Sequence, residues 1–235
     1  MFKFFLTVLI LVSYCRAGDV PIIAPRVNLK NKHTKNQTDL CIWEHATGKH
    51  LSTLIVSDSK SQKIFVYDLQ GRLLQTINAV LPGDIDIRYN VPFNNRKIDI
   101  IGFNQRKKSA SIVLFEVDRD TRKLKRIDNK RLRTKESTAS CLYQNRQGKL
   151  YSFIATDTGK IHQYELSSKG DVFVHKLIRT VNINENDLET SIKSCAADDV
   201  YGVIYLSTKY GIYAFSAEPA VKSKPQIILK KFQYQ

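Results

Sequence analysis

The sequence predicts an all-β protein of the propeller type, with about four blade-like units visible. Three observations carry this. Strand-like segments Ile64–Leu69, Ile112–Val117, Ile161–Leu166 and Gly211–Ser216 align on Tyr67, Phe115, Tyr164 and Phe215, which lie 48, 49 and 51 residues apart. Each is preceded by a shorter apolar segment: Leu54–Val56, Ile98–Ile101, Tyr151–Ile154 and Val203–Leu206. Between the two members of each pair lies a polar turn, at Asp58–Lys60, Asn104–Lys108, Asp157–Gly159 and Thr208–Tyr210. A strand–turn–strand unit recurring near every fifty residues is the pattern of propeller blades; a β-sandwich with coincidental spacing is the competing architecture.

The elements before the first unit follow from composition. Lys3, the apolar run Phe4–Tyr14 and Cys15-Arg16-Ala17 before Gly18 read as a signal peptide over residues 1–17, too short in its apolar part to span a bilayer comfortably. Residues 18–38 read as a basic N-terminal arm with one edge strand at Ile22–Val27, and residues 39–235 as the propeller domain. A secreted, extracellular protein without a transmembrane segment is expected. Cleavage after Ala17 takes the net charge from +15 to +13, a balance that favours polyanionic partners. Asn36-Gln37-Thr38 is then an N-glycosylation acceptor. Cys41, Cys141 and Cys195 remain, which allows at most one intramolecular disulfide and one free thiol. Their apolar contexts suit buried side chains.

The stretch Ser194–Pro219, SCAADDVYGVIYLSTKYGIYAFSAEP, organises the last unit. Ala196–Asp199 with Tyr201-Gly202 reads as an acidic turn, followed by strands at Val203–Leu206 and Ile212–Phe215. The whole resembles the ADDE-YG…LY…AEE…W…AEP signature of the β-propeller phytases. That resemblance, running from about Asp39 to Pro219, implies a six-bladed ring of which four blades are visible here. It also implies a secreted, calcium-dependent enzyme removing phosphate from inositol hexakisphosphate, in which clustered carboxylates gather calcium ions that bind phosphates and activate a water.

The resemblance is good in some places and broken in others. Asp84-Ile85-Asp86-Ile87-Arg88-Tyr89 stands where the family has NVDVRY, and Lys97–Ile100 where it has KVDI. Thr38–Trp43 matches DDPAIW with one acid and the proline gone, keeping Asp39, Ile42 and Trp43. The family's phosphate-contacting SNR turn becomes Phe103-Asn104-Gln105-Arg106, so Arg106 substitutes after a one-residue shift, while Thr138–Tyr143 loses the first tyrosine of YGFSLY. The strongest departures are Lys193, at the glutamate of TEG-xAADDE, and Thr208 with Lys209, at the acids of AEE. A lysine ammonium offers a metal no lone pair and repels it, so at least one calcium position should be lost. Asp39, Asp84, Asp86, Asp198 and Asp199 remain as weak metal candidates. Asp84 and Asp86 alternate on a strand and can share a face, whereas Asp198 and Asp199 also suit a turn.

Other chemistries find little support. His33, His45, His50, His162 and His175 lack metal-ligand spacing, and neither a nucleophile elbow nor a phosphate-cradling glycine loop is present. Arg122–Lys135 carries eight cations, Arg131 among them, against the single acid Asp128. It reads either as a polyanion patch or as a solvated edge strand. Without interleaved aromatics, specific nucleic-acid binding is not expected. The favoured reading is a catalytically degenerate phytase-like propeller that binds a phosphorylated or sulfated ligand through Arg106, Arg122, Lys123 and Lys193, with no cofactor. The alternative is a calcium-dependent 3-phytase; a structural fragment without function is the third reading.

Overall fold

The computed structural model describes residues 24, 34–106, 110–128, 130, 132–183 and 191–230. The segment read as a signal peptide and residues 18–33 of the N-terminal arm apart from Ala24, including the expected edge strand Ile22–Val27, lie outside the described residues. Among those described, the chain forms four four-stranded antiparallel sheets in sequence order. Blade 1 is β1 (Gln37–Trp43), β2 (Thr53–Asp58), β3 (Lys63–Asp68) and β4 (Leu73–Asn78). Blade 2 is β5 (Pro82–Phe93), β6 (Arg96–Gln105), β7 (Ser111–Val117) and β8 (Leu124–Arg126). Blade 3 is β9 (Ala139–Gln144), β10 (Leu150–Ala155), β11 (Lys160–Lys169) and β12 (Val172–Asn182). Blade 4 is β13 (Ile192–Asp198), β14 (Val203–Thr208), β15 (Gly211–Ser216) and β16 (Gln226–Lys230). The architecture is that of a β-propeller with four blades among the described residues, and β16, after Pro219, is the outer strand of the fourth. Ala196–Asp198 belongs to β13 rather than to a turn, because its main chain pairs with Val203–Tyr205.

The middle strands of blades 1 to 3 carry apolar runs that are largely buried on both faces, whereas β14 and β15 are buried at alternate positions only. Leu150–Ala155 is buried throughout, and β3 is buried from Ile64 to Asp68. Three cores fill the wedges between successive blades. Ile55, Ile64 and Val66 meet Ile101, Phe103 and Phe115 between blades 1 and 2. Ile100, Ile112 and Leu114 meet Leu142, Ile154 and Tyr164 between blades 2 and 3. Phe153 and Ile161 meet Ile204, Leu206, Tyr213 and Phe215 between blades 3 and 4. Cys141 of β9 and Cys195 of β13 close a disulfide across this last wedge, with Cα atoms 5.4 Å apart. Cys41 is a buried free thiol whose pKa burial pushes up.

Inner strands lie side by side as β1, β5, β9 and β13, and among the described residues no comparable packing returns from β13 to β1. Among the described residues the blades form an arc, in which blades 1 and 4 each have one neighbouring blade. Leu40 and Ile42 of β1 are 55% and 51% exposed, and Leu229 of β16 is 54% exposed.

The turns repeat one device. Oδ1 of Asp68 accepts the amides of Gln70 and Arg72 at 3.0 and 2.8 Å; Oδ1 of Asp118 accepts those of Asp120 and Thr121. Asn145 does the same for Gln147 and Lys149. Oδ1 of Asp198 accepts Val200 and Tyr201, both at 2.9 Å. Asp198 is therefore a turn-former, as short acids commonly are.

Candidate functional site

Antiparallel pairing fixes two ends for every blade. Inner strands begin, and second strands finish, at what we call the upper rim; the opposite turns make the lower rim. Asp39, Asp84, Arg106, Lys193 and Thr208 all fall at the upper rim. Asp198 and Asp199 fall at the lower one, beyond a seven-residue strand about 20 Å long. Arg122 and Lys123 lie in the β7–β8 turn, also at the lower rim. The sequence candidates are thus divided between two ends of the arc.

At the upper rim, main-chain donors occupy the acids. An inner strand pairs on one side only, so the amides of its other edge need acceptors. Asp39 Oδ2 accepts the Ile85 amide of the next blade at 3.1 Å, and its Oδ1 the Leu40 amide at 2.8 Å. Asp84 Oδ2 accepts the Ser140 amide of β9 at 2.8 Å, while the Arg106 guanidinium donates to Oδ1 at 2.8 Å. Asp86 Oδ2 accepts the Leu142 amide at 3.0 Å. Asp84 and Asp86 do share a face, and that face is aimed at β9. Burial pushes the Asp84 carboxyl above the ordinary range; Arg106 and the Ser140 amide pull against this, and Asp39 adds repulsion. Gly83 makes room for the arrangement, since a Cβ there would come within 2.2 Å of Asn104 Oδ1 and 2.6 Å of Arg106 Nε.

Calcium, implied by the family resemblance, needs several converging oxygen ligands. Among the described residues no group of three or more His, Cys, Asp or Glu is placed to hold a metal. The oxygens of Asp39 and Asp84 are taken by N–H donors, one of them a guanidinium. The described donor set does not fit a calcium cluster.

The upper rim instead presents cations. Lys60 lies in the β2–β3 turn, Arg106 at the end of β6, Lys160 at the start of β11, Lys193 within β13 and Lys209 in the β14–β15 turn. All but Arg106 are exposed, and Arg106 keeps 29% of its side chain accessible. Each blade contributes at least one.

On the concave side, a cleft of about 550 Å³ is bounded by Ile87, Arg88 and Tyr89 of β5, Gln144 of β9, Ala196–Asp199 and Tyr205. Arg88 forms its floor. It donates to Asp86 Oδ1 at 2.8 Å and to the carbonyls of Ile87, at 2.6 Å, and Leu142. It also pairs with Asp199 at 2.7 Å. Asp199 Oδ1 accepts the Gln144 amide at 3.2 Å. Burial raises the Asp199 carboxyl, opposed by Arg88. Sequence reasoning gave Arg88 no role beyond its place in a motif; the alternation Asp86–Arg88 on one strand was the available signal. Tyr89 donates to the Ile42 carbonyl at 3.2 Å and accepts the Glu44 amide at 2.8 Å; burial, with Asp99 nearby, pushes its hydroxyl up to about 12.

The phytase family model matches residues 27–232. The chain belongs to the phytase family. Among curated proteins, this phytase-family chain is similar to the 3-phytase of Bacillus subtilis (strain 168), 30% identical over 197 residues. That match takes in 81% of the chain and 50% of the relative, so the chain spans about half of that relative's length. Among solved structures, the crystal structure of BBS1N in complex with ARL6DN, soaked with lead, superposes with a TM-score of 0.52 at 11% identity, over 87% of this chain and 56% of that one. A structural-genomics protein of unknown function from Bacteroides thetaiotaomicron gives 0.52 at 9% identity, over 83% and 43%. At such identities the two structures support the fold alone.

Proposed function

We propose that this phytase-family propeller binds a compact, multiply phosphorylated anion of the inositol-phosphate class at its upper rim and does not hydrolyse it. The observation that carries this is the exchange of charge there. Asp39 and Asp84 are engaged by amides and Arg106, and Arg106, Lys160, Lys193 and Lys209 are the accessible groups. Phosphate oxygens suit such donors, with Arg106 offering a planar fork and the lysines mobile point charges. The test is titration of the purified protein with inositol hexakisphosphate, with calcium and with chelator, alongside assay of released phosphate. Binding without release is expected in both conditions, weakened by salt and lowered about tenfold, about 1.4 kcal/mol, in Lys193→Glu and in Arg106→Ala. Unchanged affinity in both variants would remove the site. Release that requires calcium would establish the second reading, a calcium-dependent 3-phytase, favoured by the name of the Bacillus relative.

The same proposal places the protein outside the cell. Residues 1–17 have signal-peptide composition. Among the described residues no helix is long and apolar enough to cross a membrane. Asn36 is exposed ahead of β1, with its Nδ2 donating at 3.3 Å to Ser59 Oγ at the surface. Expression in a secretory host should give medium-borne protein whose mass falls on endoglycosidase treatment and does not fall in Asn36→Gln.

A further inference from the structure

A second cationic surface lies away from the upper-rim site and goes beyond the reading above. It is made by the described residues between Lys123 and Lys135, which lie on the outside of blade 2 from the lower rim to the upper. These residues are pinned. Asp128 is fully buried and accepts the Leu114 amide at 2.8 Å, Arg126 Nε at 3.0 Å and the Lys130 amide at 2.6 Å. Ile127 and Leu132 are buried in the wedge between blades 2 and 3. Past β8 the main chain stays bonded to β7 on either side of a turn at Lys130: Ile127 N bonds Leu114 O and Ile112 N bonds Leu132 O, both at 2.9 Å. Blade 3 holds its other side, with Phe173 N on Ile127 O at 3.2 Å and His175 Nε2 donating to Arg133 O at 2.6 Å.

The pinned backbone throws its cations outward. Lys123, Lys125, Lys130, Arg133 and Lys135 are exposed. None of these five takes part in an ion pair among the described residues; Arg126, tied to Asp128, is the one cation of the described run that does. Lys123 and Lys125 flank the buried Leu124, so they share a face about 7 Å apart, inside one Debye length at physiological salt. From the Leu124 end to the Arg133 end the row follows β7, about 20 Å.

Two features select the occupant. The cations are strung along a line rather than converging, so a compact phosphate ester reaches only those at one end, whereas a linear polymer reaches them all. The neighbouring aromatics, Tyr164 and Phe173, are buried and give nucleobases nothing to stack on. We infer that the outer surface of blades 2 and 3 binds a linear sulfated polysaccharide, laid along the Lys123–Lys135 run.

The probe is a set of size-defined heparin oligosaccharides, titrated at about 0.15 M salt. The dodecasaccharide should bind about tenfold or more tighter than the tetrasaccharide, and excess inositol hexakisphosphate should leave most dodecasaccharide binding intact. Lys125→Glu/Lys130→Glu/Arg133→Glu should lower dodecasaccharide affinity about tenfold, while Lys222→Glu/Lys224→Glu/Lys230→Glu, with the same change of net charge on blade 4, should lower it less than about twofold. Equal losses in the two triple variants would reduce the effect to net charge and overturn the inference. So would equal affinity for the short and long oligosaccharides, a comparison that needs only the unaltered protein. Tighter binding of a single-stranded oligodeoxynucleotide than of the dodecasaccharide would overturn it in favour of nucleic acid. Complete displacement by inositol hexakisphosphate would overturn it by returning the polymer to the upper rim, and would leave the compact-anion reading standing.

Discussion

Arg88→Met should lower stability by about 3 kcal/mol at neutral pH, equivalent to roughly 6–12 °C in melting temperature for a domain of this size. Arg88 stands between Asp86 and Asp199 and also serves the Leu142 carbonyl. Methionine fills similar volume but leaves two carboxylates facing each other without a cation. The figure lies at the lower end of the range for breaking a buried pair because Asp199 keeps about a third of its side chain accessible. The loss should depend on pH in a definite direction. Burial already raises the Asp199 carboxyl and Arg88 opposes that rise, so removing the arginine raises it further. A carboxyl with a folded pKa above its unfolded value holds a proton that the unfolded chain has released, and stability then falls as pH climbs from the unfolded value through the folded one. The deficit should be largest at pH 7 and shrink towards about pH 4. Denaturant unfolding at both pH values measures this; equal deficits would show that Arg88 contributes packing rather than charge.

Reduction of the Cys141–Cys195 bond should cost about 4 kcal/mol by the loop-closure relation for a crosslink of this span, with 54 residues separating the cysteines. Among the described residues blade 4 packs against one neighbouring blade, so it depends on this bond more than an internal blade would. Hydrogen exchange should accelerate first in β13–β16, while β6 and β7, buried between two blades, keep their protection. Melting with and without reductant, with exchange mapped by strand, decides the matter. An unchanged melting temperature, or loss of protection spread evenly over all four blades, would mean that the hydrophobic wedge alone holds blade 4.

The middle strands of blades 1 to 3 were legible because they are largely buried on both faces, and burial of that kind leaves apolar runs such as Ile112–Leu114 and Tyr151–Ile154. The outer strands were not. Leu124-Lys125-Arg126 is a strand because β7 pairs with it, and three residues with two cations carry no strand signal of their own. The shared face of Asp84 and Asp86 followed from the twofold alternation of strands. Their acceptance of amides from β9 is a relation between blades, which a one-dimensional pattern does not express. The engagement of Asp39 by Ile85 N was hidden for the same reason. The disulfide had an available signal: Cys141 and Cys195 are separated by about one repeat, which puts them at matching places on successive inner strands.

Strand β9 has a consequence for how the arc can vary. Its Ser140 and Leu142 amides go to carboxylates of the blade before it, its Gln144 amide to a carboxylate of the blade after it, and Cys141 is bonded to that later blade. It is a keystone, wedged from both sides. Turning either neighbouring blade about it stretches a charged hydrogen bond or a covalent one, and shifting it by a single residue turns those amides to the strand's other edge and flips its side chains to the opposite face. Rim loops other than the one carrying Asp199 can lengthen without touching these bonds, so the setting of blades 2 and 4 against blade 3 rests on six residues of one strand and is insensitive to the decoration around it.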